Sequence, residues 1–285
     1  MTSLISAPGL LRVLAGVTVL DVRWQLERTD GREQYAAGHV PGAAYVDLET
    51  DLADPPGPGG RHPLPDPTRF GAAMRRCGVR TDRPVVVYDD WSGLAATRAW
   101  WLLRHHGHRD VRVLDGGWSG WRAAGGVVGT DLTPARPGDF EPDPGHLPVV
   151  DADGAARVAA DGVLLDARAA ERFRGVVEPV DPVAGHIPGA VNLPASGNLD
   201  GGRFRSRDAL AAAYARTEGA AEVAVYCGSG VTATHDLFVL HELGRVAALY
   251  PGSWSEWVTD PARPVAVGDD APERPPGPAG AARGV

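Results

Sequence analysis

The stretch Val223-Ala224-Val225-Tyr226-Cys227-Gly228-Ser229-Gly230-Val231-Thr232-Ala233 sets an apolar run, a glycine-broken loop and a helical pattern in direct succession. Val223–Tyr226 is short and apolar, as a strand buried on both faces is. From Val231 to Leu243 the pattern turns helical. Leu237, Leu240 and Leu243 share a spacing of three, and Gly244 stands where a C-terminal glycine ends a helix. Cys227 is therefore expected at the carboxyl end of a strand, facing a helix N-terminus. That is where open α/β sheets bind ligands, and the positive end of the helix favours a thiolate. Gly228 and Gly230 let the backbone curl until several N–H groups point inward as an anion nest. Ser229 and Thr232 add hydroxyl donors. A cysteine after a strand is often only a small buried hydrophobe. The Gly-Ser-Gly that follows serves neither packing nor helix propensity, and so favours chemistry.

Outward from this loop, the chain repeats itself. Val85-Val86-Val87-Tyr88-Asp89 precedes the strand and cysteine of the second half as an earlier copy. Val19-Leu20-Asp21-Val22-Arg23 returns as Leu164-Leu165-Asp166-Ala167-Arg168, and Gly38-His39-Val40-Pro41-Gly42 as Gly185-His186-Ile187-Pro188-Gly189. Trp118-Ser119-Gly120-Trp121 returns as Trp254-Ser255-Glu256-Trp257. The order is kept while the offset drifts only from 147 to 136 residues, the mark of a duplicated domain rather than a short-period solenoid. Strand-like runs (Val85–Tyr88, Val111–Leu114, Val163–Leu165, Val223–Tyr226) alternate with helical stretches such as Ala95–His106. Alternation of this kind predicts an α/β fold, two domains each with a parallel sheet and helices on both faces.

The 285 residues suit two domains of ordinary size, and 44% apolar with 22% charged residues is globular composition. A net charge of −8 argues against a nucleic-acid partner. No apolar run is long enough to span a bilayer, and residues 1–12 lack the basic start and apolar core of a signal peptide. Two cysteines, Cys77 and Cys227, make no disulfide framework, so a reducing, cytoplasmic setting is expected. Weak periodicity marks 127–153 as a linker between domains at 1–126 and 154–265, and 266–285 as a disordered tail. Residues 55–60 form a Pro/Gly loop without the Gly-Lys-Ser/Thr ending of a P-loop. His105, His106 and His108 lack the Cys or acidic partners of a zinc site.

The Cys-Gly-Ser-Gly-Val-Thr-Ala loop, with the Gly-His-Ile-Pro-Gly, Asp-Ala-Arg and Pro-Gly-Ser-Trp segments, resembles the tandem-domain rhodanese family, and within it the 3-mercaptopyruvate sulfurtransferases. The resemblance spans roughly residues 10–260. It implies two rhodanese-like domains, the first inert because Asp89 stands where the second has Cys227. It also implies a sulfur donor attacked by Cys227, an enzyme persulfide, and release of that sulfur to cyanide or to a thiol such as thioredoxin or glutathione. It implies neither cofactor nor metal.

The same resemblance assigns site residues. Gly228, Gly230, Val231 and Thr232 are expected around the donor, with Arg172 on its carboxylate. A second substrate arginine is replaced near Val180, which leaves Arg172 to act with backbone help or with Arg174. Ser229 is expected to form a proton relay with His62 and with an acid. The acid position falls on Glu49, whose carboxylate reaches one methylene further than the usual aspartate. Neutral Gly228 and Ser229 after the cysteine favour a monovalent keto acid, 3-mercaptopyruvate, over thiosulfate, whose users have basic residues there. A phosphatase needs an arginine six positions after the cysteine, where this chain has Ala233. A sulfur-carrier or regulatory module without catalysis is the remaining alternative. His39 and His186 are read as turn-fixing, and the four repeated tryptophans as packing.

Overall fold

The computed structural model describes residues 2–26, 28, 30–132 and 134–269. In the first half β1 (Leu4–Ile5), β2 (Thr18–Asp21), β3 (Ala44–Tyr45), β4 (Val85–Tyr88) and β5 (Val111–Leu114) form a parallel sheet in the order β1-β5-β4-β2-β3. In the second half come β6 (Val163–Asp166), β7 (Val191–Asn192), an antiparallel hairpin of β8 (Leu199–Asp200) and β9 (Arg203–Phe204), β10 (Val223–Tyr226) and β11 (Ala248–Leu249). Here the parallel sheet runs β11-β10-β6-β7. The duplication extends to register. Thr18 through Asp21 pair with Val85 through Tyr88, and Val163 through Asp166 pair with Val223 through Tyr226.

Helices α1 (Ala7–Val13), α2 (Gly31–Ala37), α3 (Leu48–Asp51), α4 (Pro67–Arg76), α5 (Ala96–His105) and α6 (Gly117–Ala123) belong to the first half. Helices α7 (Ala152–Asp161), α8 (Ala170–Phe173), α9 (Arg207–Ala213), α10 (Ala233–Glu242) and α11 (Ser253–Trp257) belong to the second. Strand side chains alternate between faces. Val86 and Tyr88 join an outer core with Leu10, Trp118 and Trp121, while Val85 and Val87 turn the other way. Ala224 and Tyr226 likewise join Trp254 and Trp257, while Val223 and Val225 turn inward. The two inward faces share one core. Through it run α5, buried at every residue from Ala96 to Leu103, and α10, buried from Ala233 to Leu240. Helices without a polar face belong inside. Trp100 of α5 meets Phe238 of α10 edge to face at 5.0 Å, and Thr97 bonds Thr234 at 3.0 Å between corresponding turns. This junction fixes how the halves meet.

The repeated motifs perform repeated structural work. Arg23 bonds Asp21 and the carbonyl of Gly38, both at 2.6 Å; Arg168 bonds Asp166 at 2.6 Å and the carbonyl of Gly185 at 2.7 Å. His39 and His186 bond the carbonyls of Tyr35 and Phe173, each at 2.8 Å, and so fix their turns.

The boundaries differ from the sequence reading in two places. The segment read as a linker to 153 is strapped to the first half as far as Leu147, and Pro148 and Val150 then exchange backbone hydrogen bonds with Leu249 of the second. Phe140 is buried, the amides of Asp143 and His146 donate to the carbonyls of His106 and His105, and His105 bonds the carbonyl of Leu147. Helix α7 already begins at Ala152, because Asp151 caps it by accepting from the amide of Gly154 at 2.7 Å. Residues 266–268, read as part of a tail, are tied to the second domain. Ala266 exchanges backbone hydrogen bonds with His186, and the amide of Gly268 donates to Arg174. The rest of that tail, 270–285, lies outside the described residues.

Candidate active site

Cys227 follows β10 directly, at the carboxyl edge of the second sheet. Its amide donates to Ser253 Oγ at 3.1 Å, and its carbonyl accepts from the amide of Trp254 at 3.0 Å. The residue is buried at 1% exposure, and its neighbourhood is mixed. Val225, Val231 and Ala233 pack on the core side. On the other side, a Cβ placed on Gly228 would lie 2.9 Å from the guanidinium of Arg61 and 3.4 Å from that of Arg172. Gly230 has φ +75°, and a Cβ there would stand 2.3 Å from the carbonyl of Pro251. Only glycine lets the loop curl so closely against that turn. Among the described residues no group accepts from the amides of Gly228, Ser229, Gly230, Val231 or Thr232.

The first half shows what such a cradle does. Asp89, at the matching place after β4, is fully buried and accepts from the amides of Trp91, Gly93, Ala95 and Ala96 at 2.8–2.9 Å. Burial pushes its carboxyl up while those four amides pull it back toward ionisation. The duplicated loop thus binds an anion supplied by its own first residue. In the second half that residue is a thiol.

Two first-half residues, His62 and Arg98, reach across to the Cys227 loop. His62 Nδ1 lies 2.7 Å from Ser229 Oγ, and its Nε2 lies 3.2 Å from Glu49 Oε1 at the edge of α3. Trp24 Nε1 donates to the same Glu49 oxygen at 2.8 Å. The hydrogen bond from His62 holds the Glu49 carboxyl below its ordinary range against the opposing effect of burial. An ionised Glu49 accepts the Nε2 proton, which leaves Nδ1 to accept the Ser229 hydroxyl. Below the loop Arg98 of α5 is fully buried. It donates to the carbonyl of Gly230 at 3.0 Å and to that of His62 at 3.1 Å. Burial lowers its pKa to about 10, and negative charge on Cys227 works in the opposite direction.

Arg172 is held at the loop by Glu178, at 3.0 Å through Nε and 2.6 Å through a terminal nitrogen, and it lies 3.3 Å from Asp181. Arg61 pairs with the other oxygen of Asp181. Val180 offers only its amide, which donates to Glu178 at 3.1 Å. The expected contribution of Arg174 is corrected: its guanidinium lies 3.7 Å from Asp269 and 3.9 Å from Glu171, because α8 turns it off the loop. Val231 is also corrected in part. Its side chain is buried in the shared core, so only its backbone is available to the loop. Thr232 is the half-buried residue before α10. Cys77 lies apart, buried, with its thiol pushed up to about 11 by burial.

The profile of the rhodanese-like domain matches residues 9–124 and 152–260. The chain belongs to the rhodanese-like family. A protein of Mycobacterium tuberculosis provisionally named thiosulfate sulfurtransferase SseB is 47% identical over 274 residues, covering 91% of this chain and 94% of that one. A Pseudomonas aeruginosa protein provisionally named 3-mercaptopyruvate sulfurtransferase is 48% identical over 262 residues, covering 88% and 92%. The crystal structure of the 3-mercaptopyruvate sulfurtransferase SseA from Escherichia coli superposes with a TM-score of 0.79 at 32% identity, covering 90% of this chain and 100% of that one.

Within this rhodanese-like pair of domains, sequence reasoning missed Arg61, Arg98 and Asp181. Arg61 adjoins the quoted His62 but carries no motif of its own. It reaches the loop because residues 57–62 lie on the turn before α11. Its amide donates to Ser255 Oγ at 3.1 Å, and a Cβ on Gly60 would stand 2.7 Å from the carbonyl of Gly252. Arg98 had a signal: it is the one charged residue in the run Ala95–Leu103, where Thr97 is the only other polar side chain, so a buried cation there needs partners.

Proposed function

We propose that the chain is a sulfurtransferase in which Cys227 takes a sulfur atom from 3-mercaptopyruvate and holds it as a persulfide. The observation that carries this reading is the Ser229–His62–Glu49 chain of hydrogen bonds, built from both halves beside a cysteine in an anion cradle. The Cys227 thiolate attacks the donor sulfur. A sulfur–sulfur bond forms, the carbon–sulfur bond breaks, and its electron pair leaves on carbon as the enolate of pyruvate. The proton of the donor thiol ends on that carbon, so no outside oxidant or reductant is needed. Ser229 and His62 are suited to carry this proton, with Glu49 fixing the imidazole. The loop amides then hold the persulfide anion as the Asp89 cradle holds a carboxylate. A thiol such as thioredoxin or glutathione, or cyanide, removes the outer sulfur, which splits one transfer into two steps.

The relatives carry both donor names, so the choice of donor rests on the loop. Gly228 and Ser229 bring no positive charge next to Cys227, which suits a monoanion over the dianion thiosulfate. Thiosulfate is the second donor on this reading. A phosphatase lacks its arginine, since position 233 is a buried alanine opening α10. Among the described residues no helix is long and apolar enough to cross a membrane. A reducing, cytoplasmic setting is part of the proposal, in keeping with two free cysteines. Steady-state kinetics with cyanide as acceptor tests the donor. We expect kcat/KM for 3-mercaptopyruvate to exceed that for thiosulfate by at least about 10-fold, or about 1.4 kcal/mol. A preference for thiosulfate would overturn the donor, and activity surviving Cys227→Ser would overturn the mechanism.

A further inference from the structure

We propose that Arg61 and Arg172, one from each half, form a two-armed clamp for the donor's carboxylate, and that the Asp181 carboxylate holds the place which the donor's carboxylate takes. This deepens the sulfurtransferase reading and rests on it. The two guanidiniums approach Gly228 from one side, within 2.9 and 3.4 Å of a Cβ position there, so they flank the backbone next to the nucleophile. Arg61 is anchored through its own amide to Ser255, so its side chain is not needed to hold the 57–62 loop in place. Planar guanidiniums bind carboxylates through paired N–H groups, a match that a lysine cannot give.

The two acids at this clamp are held very differently. Glu178 accepts from Arg172 through both oxygens and from the amides of Val180 and Asp181, each at 3.1 Å, and it lies 3.4 Å from Arg168. Burial pushes its carboxyl up, but these donors outweigh burial and keep it below the ordinary range. It is a fixed support that aims Arg172. The partners of the Asp181 side chain are the two arginines alone among the described residues. Its side chain is 4% exposed, and there burial wins over Arg61 and Arg172 to raise its pKa. Asp181 is thus the weakly held acid, in a site where two cations face two anions. Turning it out leaves one net positive charge, which matches one carboxylate. A buried carboxylate traded for another keeps both arginines paired throughout, and this avoids leaving either charge desolvated and alone.

The test uses full-length protein, 3-mercaptopyruvate as donor, pyruvate as inhibitor and cyanide as acceptor. Arg61→Ala is expected to raise the donor KM by on the order of 10–100-fold and to weaken inhibition by pyruvate in parallel. It should leave kcat, and the rate at which cyanide strips preloaded Cys227, within about threefold. Arg61→Lys should fall between wild type and Arg61→Ala, and it guards against a folding defect. Asp181→Asn should lower the donor KM by about two- to tenfold, because the internal competitor is weakened. A donor KM indifferent to Arg61→Ala, or equal losses in donor binding and cyanide stripping, would overturn the clamp. A KM raised by Asp181→Asn would overturn the place-holding role. A wild type inactive with 3-mercaptopyruvate would sink the sulfurtransferase reading and the clamp together, whereas an active wild type that ignores Arg61→Ala sinks the clamp alone.

Discussion

At the scale of single residues, Glu49 bears the most on the proposed proton relay. Its extra methylene does not carry the carboxylate past His62: Oε1 sits 3.2 Å from Nε2, braced by the indole of Trp24. Because its pKa is lowered, Glu49 stays ionised through the neutral range. It loses its charge only as the pH falls below the ordinary carboxylate range. If proton transfer passes through this chain, His62→Ala should lower kcat with 3-mercaptopyruvate by on the order of 10–100-fold at neutral pH. Glu49→Gln should cost less, about 3–10-fold, since it alters orientation rather than removing the base. Cyanide stripping of a preloaded Cys227 needs no proton on carbon and should change little in either variant. Unchanged kcat in His62→Ala would remove the relay from the mechanism.

Among the elements, α5 and α10 decide stability, since both are buried all round and α10 carries charge inward. Asp236 and His235 of α10 are fully buried beside Asn198, whose side chain bonds Asp236 at 2.7 Å and accepts from Tyr214 at 3.0 Å. Burial raises Asp236 to about 7, with Tyr214 and Asn198 opposing. An acid whose folded pKa is raised takes up protons on folding. Its share of stability is therefore whole below the unfolded pKa and is lost as pH rises toward 7. Relative to Asp236→Asn, the wild type should lose about 2–3 kcal/mol between pH 5 and pH 8 in urea titrations. His235, lowered to about 4 by burial, is present in both proteins and cancels. Parallel curves for the two proteins would contradict the buried, proton-binding Asp236.

The sequence made these elements readable where their apolar character was continuous. Val85–Tyr88, Val111–Leu114 and Val223–Tyr226 are strands with the expected ends, and α5 and α10 differ from expectation by one or two residues. The ordered course of 134–151 was not readable. Its bonds go to Arg75, Val79, His105, His106 and Leu249, partners set by tertiary packing that leaves no local period.

Across the whole molecule, duplication has divided the labour. One cradle is closed by the Asp89 carboxylate, and the matching one ends on Cys227, with Glu49, His62 and Arg61 of the first half gathered around its loop. Residues inside a motif could be found from sequence: Cys227 and Ser229 in the loop, Arg172 after Asp-Ala-Arg, and His62 and Glu49 through family resemblance. Arg61 and Asp181 could not, because their meeting depends on how the 57–62 loop of one domain lies on the other. The central claim is that Cys227 receives sulfur. Mass spectrometry of the intact protein and its peptides after treatment with 3-mercaptopyruvate tests it most directly. One added sulfur on Cys227, none on Cys77, and release by cyanide is the expected result; an unmodified Cys227, or sulfur distributed equally over both cysteines, would contradict it.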